Sequence, residues 1–122
     1  MATRGTITLK TKEGRFQSIY HHFDSYLEGL GKILLENYTT YEDVEKIIAV
    51  GDCSNLGPTL DADDSVFYHR DRQEDLKINY CLSLLDGVCP NDFNYVFQDG
   101  QWSFFEWDNF DEIRPLTKEL VG

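Results

Sequence analysis

The stretch from Asn94 to Phe105 constrains the fold more than any other part of the chain. Asn94-Tyr95-Val96-Phe97-Gln98 and Gln101-Trp102-Ser103-Phe104-Phe105 are two aromatic-rich alternating runs separated by Asp99-Gly100. Asp-Gly in that setting favours a two-residue type I′ turn, because both central residues must take positive φ. Such a turn fixes the register, placing Phe97 opposite Trp102 and Tyr95 opposite Phe104 on one face. Four aromatics on one side of a hairpin belong in a core, so the rest of the chain must supply their cover.

The earlier residues supply candidates. Thr6-Ile7-Thr8-Leu9-Lys10 and Arg15-Phe16-Gln17-Ser18-Ile19-Tyr20 alternate around Gly14, which predicts an N-terminal hairpin. From Tyr26 the period becomes helical: Leu27, Leu30, Ile33, Leu34 and Tyr38 form one stripe, with Gly29 and Gly31 weakening the first turns. Thr39-Thr40-Tyr41-Glu42 fits a capping box that would pair Thr39 with Glu42. A second helix is then expected, with Tyr41, Val44, Ile47 and Ile48 inward and Gly51 at its end. Residues 52–64 read as a loop, Ser65–His69 as a short middle strand, and 70–75 as a charged turn. The run from Ile78 to Leu85 is too short for periodicity to separate strand from helix. A short C-terminal helix broken or started near Pro115 completes the pattern. The expected architecture is α+β: a mainly antiparallel sheet packed by two central helices and the short C-terminal one. At 122 residues the chain suits one domain spanning 1–122.

Charge narrows the function. Twenty-two acidic residues face eleven basic ones, for a formal net charge of −11. Arg4, Lys10, Lys12 and Arg15 stand against Glu13 alone in the first 20 residues, so the acidity belongs to the body of the chain. Such a field repels nucleic acid and anionic membranes and attracts basic surfaces. No 18-residue apolar run and no secretory signal core are present. With three cysteines, Cys53, Cys81 and Cys89, and no signal, the expectation is a cytoplasmic protein with reduced thiols and no disulfide framework.

Catalytic signatures are weak. His21 and His22 are adjacent, and neighbours on a strand point to opposite faces, so they make a poor ligand pair. Cys81 and Cys89 lie too far apart for a zinc knuckle. No phosphate loop, nucleophile elbow or dinucleotide fingerprint occurs, and neither cofactor nor metal is expected. Trp102, Phe104, Phe105 and Trp107 could suggest base stacking, but residues 99–112 contain no lysine or arginine.

The carboxylates remain as the candidate surface: Asp61, Asp63, Asp64, Asp71, Glu74 and Asp75 in one cluster, Asp99, Glu106, Asp108, Asp111 and Glu112 in a second. Presented together, they could imitate the closely spaced charges of a nucleic acid and occupy the basic groove of a nucleic-acid-handling protein. Two other readings are an interaction module with an exposed aromatic patch centred on Trp107, and a small enzyme using His22 with Asp24 or His69 with Asp71.

Ser18-Ile19-Tyr20-His21-His22-Phe23-Asp24-Ser25-Tyr26, followed by Gly31, Leu34, Leu35 and Tyr38, resembles a largely uncharacterised family of small acidic proteins carried by phages, prophages and plasmids. Ser25 stands where that pattern has Gly; Gly51–Leu56 and Tyr68–Arg72 look like its later landmarks. The resemblance implies a mobile-element origin and, by association, an inhibitor of host defence similar to anti-CRISPR or anti-restriction proteins. The partner would then be a basic surface of a host CRISPR effector or other nucleic-acid-binding complex.

Overall fold

The computed structural model describes residues 3–81, 91–106 and 113–122, with backbone only at 79–81. The strands are β1 (Gly5–Lys10), β2 (Phe16–His21), β3 (Cys53–Asn55), β4 (Val66–Phe67), β5 (Asn79–Cys81), β6 (Phe93–Gln98), β7 (Gln101–Glu106) and β8 (Arg114–Pro115). A π-helical turn at Leu27–Gly31 runs into α1 (Lys32–Asn37), and α2 (Tyr41–Val50), α3 (Tyr68–Arg72) and α4 (Lys118–Val121) complete the elements.

Both hairpins form as their turns dictate. Ile7 pairs with Ile19 across β1 and β2, and Gly14 closes their connection at φ +81°. Phe97 pairs with Trp102 and Tyr95 with Phe104, with Asp99 and Gly100 at φ +54° and +78° as a type I′ turn requires. All four aromatics are buried. They pack with Ile7, Leu9 and Ile19 from the first hairpin, with Leu30, Leu34 and Tyr38, and with Val44, Ile47 and Ile48 of α2.

The fold is α+β, but the sheet is mixed where a mainly antiparallel one was expected. Strand order is β4-β3-β2-β1-β6-β7-β8, with β5 also paired to β2. The two hairpins join through β1 and β6, which run parallel, and β2 pairs in parallel with β3. A parallel junction needs a crossover, and between β2 and β3 the π-turn, α1 and α2 supply it. Local alternation predicts hairpins but carries no information on how one hairpin meets another.

Other departures have local causes. The first helix begins as a π-turn because Gly29 packs against the Asp24 carbonyl, where a Cβ would lie 2.3 Å from the oxygen. The α2 cap is Thr40 rather than Thr39: its Oγ1 accepts from the Asp43 amide at 3.1 Å. The supposed loop at 52–64 contains β3, recruited by the end of β2. The strand expected over Ser65–His69 is reduced to Val66–Phe67, and His69 lies in α3. In the stretch left open, Asn79–Cys81 is a strand, and 82–85 lies outside the described residues. Pro115 sits in β8, and the C-terminal helix starts at Lys118. The polar side of the central strands is buried as well: Thr8 and Ser18 are fully covered, and their hydroxyls make no hydrogen bond.

Because β1 and β6 are parallel, the tips of both hairpins lie at one end of the sheet. The end of β2 and the segments that leave β2 and β3 lie at the other.

Candidate functional site

At that second end an open cleft of about 550 Å³ lies between the π-turn and α1 on one side and residues 55–58 and Asp64 on the other. Its rim carries Asp24, Glu28, Glu36 and Asp64, all exposed, against Lys32; Leu30, Ile33, Leu56 and Pro58 form apolar wall. Tyr26, 38% exposed, lines the same cleft, and the neighbouring Phe23 is 47% exposed. None of the four rim carboxylates is in an ion pair among the described residues.

Buried hydrogen bonds hold both walls. His21 sits between them, 1% exposed. Its Nε2 accepts from the Leu56 amide at 3.1 Å. The ring proton therefore sits on Nδ1 and is donated to Ser25 Oγ at 2.7 Å. Ser25 Oγ in turn donates to the His21 carbonyl. Burial, with a smaller push from His22, lowers the His21 pKa to about 3, so the ring is neutral. A serine beside a histidine resembles a nucleophile and its base, but here Ser25 receives the imidazole proton and gives its own to a carbonyl. Both ring nitrogens are occupied, and the arrangement works as a staple.

The opposite wall is pinned by further bonds. Tyr38 donates to the Gly57 carbonyl at 2.9 Å, and the Gly57 amide donates to Ser65 Oγ at 2.8 Å. Burial pushes the Tyr38 hydroxyl up to about 12, which keeps it a donor. Asn55 Nδ2 donates to the Asp64 carbonyl at 2.7 Å, positioning Asp64. Arg70 donates to the carbonyls of Leu60 and Ser65 from α3. On the other wall, the Tyr95 hydroxyl donates to the Ser25 carbonyl at 2.7 Å, and the Leu30 amide to that of Asp24.

The sequence-named carboxylates are distributed unevenly. Asp61, Asp63 and Asp64 lie exposed on the loop between β3 and β4, and Glu74 and Asp75 lie exposed just after α3. Asp71 is paired with Arg70 at 2.9 Å and accepts from the Phe67 amide, which together hold its carboxyl below the ordinary range. Asp99 is at the hairpin tips, the opposite end of the sheet. Glu106 is paired with Arg114 at 3.2 Å. Asp108, Asp111, Glu112 and Trp107 lie outside the described residues.

The two histidine pairs are not assembled. Asp24 lines the cleft, whereas His22 Nδ1 lies 2.5 Å from the Tyr20 hydroxyl and its ring packs edge-on against Phe23. His69 Nδ1 donates to the Glu74 carbonyl, and Asp71 is bound by Arg70. Among the described residues no group of three or more His, Cys, Asp or Glu is placed to hold a metal ion. The Cys53 thiol is fully buried, which raises its pKa. The side chain of Cys81, and Cys89, are outside the described set. No helix among the described residues is long and apolar enough to cross a membrane.

Sequence reasoning did not single out Glu28 and Glu36. Their spacing with Lys32, at i, i+4 and i+8, is a legible one-face pattern. What had no signal was that this face meets the loop bearing Asp64. Comparison with protein-family models, curated proteins and solved structures finds no match to this chain.

Proposed function

We propose that this protein is a binding module whose acidic cleft docks on a basic surface of a nucleic-acid-handling protein, in competition with the nucleic acid. The observation that carries this reading is the set of four carboxylates, Asp24, Glu28, Glu36 and Asp64, around an apolar-walled cleft with Lys32 as counter-charge. Long basic side chains suit such a place: an aliphatic stem lies along Leu30, Ile33 and Leu56 while its charge reaches the rim. Tyr26 adds an exposed ring over which a guanidinium can stack. The buried staple around His21 supports recognition, since walls fixed before binding lose little freedom on association.

The mimicry is more compact than a row of eleven carboxylates. Asp99 sits at the far end and Asp71 and Glu106 are already paired, which leaves the cleft rim, with Asp61 and Asp63 exposed on the loop that carries Asp64. In a mobile-element setting the role would be inhibition of a host defence complex, in the manner of anti-CRISPR proteins. The test is retention from host lysate on immobilised wild-type protein and on the Asp24→Asn, Glu28→Gln, Glu36→Gln, Asp64→Asn variant. Wild type should hold a nuclease or effector complex at low salt and release it to added duplex DNA, while the variant holds at least tenfold less. Equal retention by the variant, or indifference to DNA, would overturn the proposal.

A further inference from the structure

A second groove crosses the other end of the sheet, where both hairpins turn. One half, about 510 Å³, lies between the β1–β2 connection and the start of α2 and is lined by Lys10, Lys12 and Tyr41. The other, about 330 Å³, is lined by Leu35, Trp102, Pro115 and Leu116. Thr39, Phe97 and Gly100 line both, so the two halves adjoin along these residues. In a chain with twice as many acids as bases, neither lysine is in an ion pair among the described residues. Lys12 instead rests over the Tyr41 ring, 5.0 Å from its centre. Asp99 stands on the same rim. Two lysines against this one aspartate leave that half of the groove net positive, suited to an anion, while no charged residue lines the other half, which suits an apolar side chain.

We infer that this groove docks an extended peptide segment bearing a carboxylate three or four residues from a leucine or aromatic side chain. The spacing follows from the sheet. The groove passes over the ends of β1, β6, β7 and β8, which are neighbours in that order. Three inter-strand steps span about 14 Å, and an extended chain covers that in about four residues. The charge pattern supplies the direction: the acidic end of the peptide lies over Lys10 and Lys12, the apolar end against Leu35 and Pro115. An acidic peptide is repelled by most of this surface, and screening over roughly 8 Å at physiological salt leaves the lysine-lined half accessible to it.

The probes are fluorescein-labelled hexapeptides, read by anisotropy: two glutamates at one end and Leu-Phe at the other, the same residues with the glutamates next to Leu-Phe, and a lysine-for-glutamate version. The spaced acidic peptide should bind at least tenfold more tightly than either control and shift the amide resonances of residues 10–14, 39–41 and 97–101. Lys10→Glu with Lys12→Glu should weaken it at least tenfold. Thr39→Trp, which fills the shared middle of the groove at an exposed position, should do the same if the charge variant misfolds. The cleft variant Asp24→Asn, Glu28→Gln, Glu36→Gln, Asp64→Asn should leave this binding unchanged, separating it from the docking proposed for that cleft. Absence of binding, equal affinity for the two spacings, unchanged binding in the groove variants, or inorganic phosphate alone giving the same shifts would overturn the inference.

Discussion

The two ends of this sheet are held by different physics. At the hairpin end, turn chemistry within a few residues sets the geometry: Gly14, Asp99 and Gly100 adopt positive φ and fix the strands they join. At the cleft end, long-range buried hydrogen bonds do so: His21 to Leu56, Tyr38 to Gly57 and Tyr95 to Ser25 join residues 35, 19 and 70 apart in sequence. A turn can be damaged alone. The cleft depends on the whole core being in place, so its perturbations should propagate.

The strongest contrast is between two glycines. Gly29→Ala at the cleft end would put a Cβ 2.3 Å from the Asp24 carbonyl, and the forced backbone shift should cost about 3 kcal/mol in urea unfolding. Gly100→Ala at the hairpin end meets nothing within 4 Å and costs only its φ of +78°, about 1 kcal/mol. Equal losses would break the distinction between a packed end and a turn-defined one.

Acid should act next, and through the cleft end. Folded His21 titrates near 3 against 6.5 in the unfolded chain. The unfolded state therefore takes up a proton that the folded state refuses, and stability falls as pH drops below 6.5 toward 3. At about 1.4 kcal/mol per pH unit, going from pH 7 to 5 should cost about 2 kcal/mol. His21→Gln should flatten that slope; an unchanged slope would mean the staple is not what acid attacks. The Arg70-bound Asp71 carboxylate, whose folded pKa is lowered, adds a loss of the same sign, setting in only as pH falls through the ordinary carboxylate range.

The smallest effect lies between the ends. Thr8→Val replaces a fully buried hydroxyl that makes no hydrogen bond by a methyl of similar shape. A gain of up to about 1 kcal/mol in unfolding free energy is expected, because the desolvated hydroxyl has no compensating partner. A loss would reveal a role for that hydroxyl that the strand pairing does not account for.

These contrasts coincide with what a reader of the residues could find. Asp99-Gly100 and the alternation around it set a turn, a register and four core aromatics, since neighbouring residues alone decide them. The α2 stripe of Val44, Ile47 and Ile48 was legible for the same reason. The cap moved by one residue because Thr39 and Thr40 offer the same hydroxyl and only the chain path chooses between them. His21 looked like half of an unpromising histidine pair; nothing near it in sequence announces that Leu56 will fill its second nitrogen.

The two hairpins, the central helices, the α+β class and the acidic balance can be read from the residues alone, because all are properties of local pattern or of composition. That the hairpins meet in parallel, that Asp24, Glu28, Glu36 and Asp64 gather on one cleft, and that Asp99 is carried to the opposite end emerges with the assembled fold. Strand order and loop docking depend on which faces bury the most apolar surface together. That sum runs over the whole chain and leaves no mark in any one segment of it.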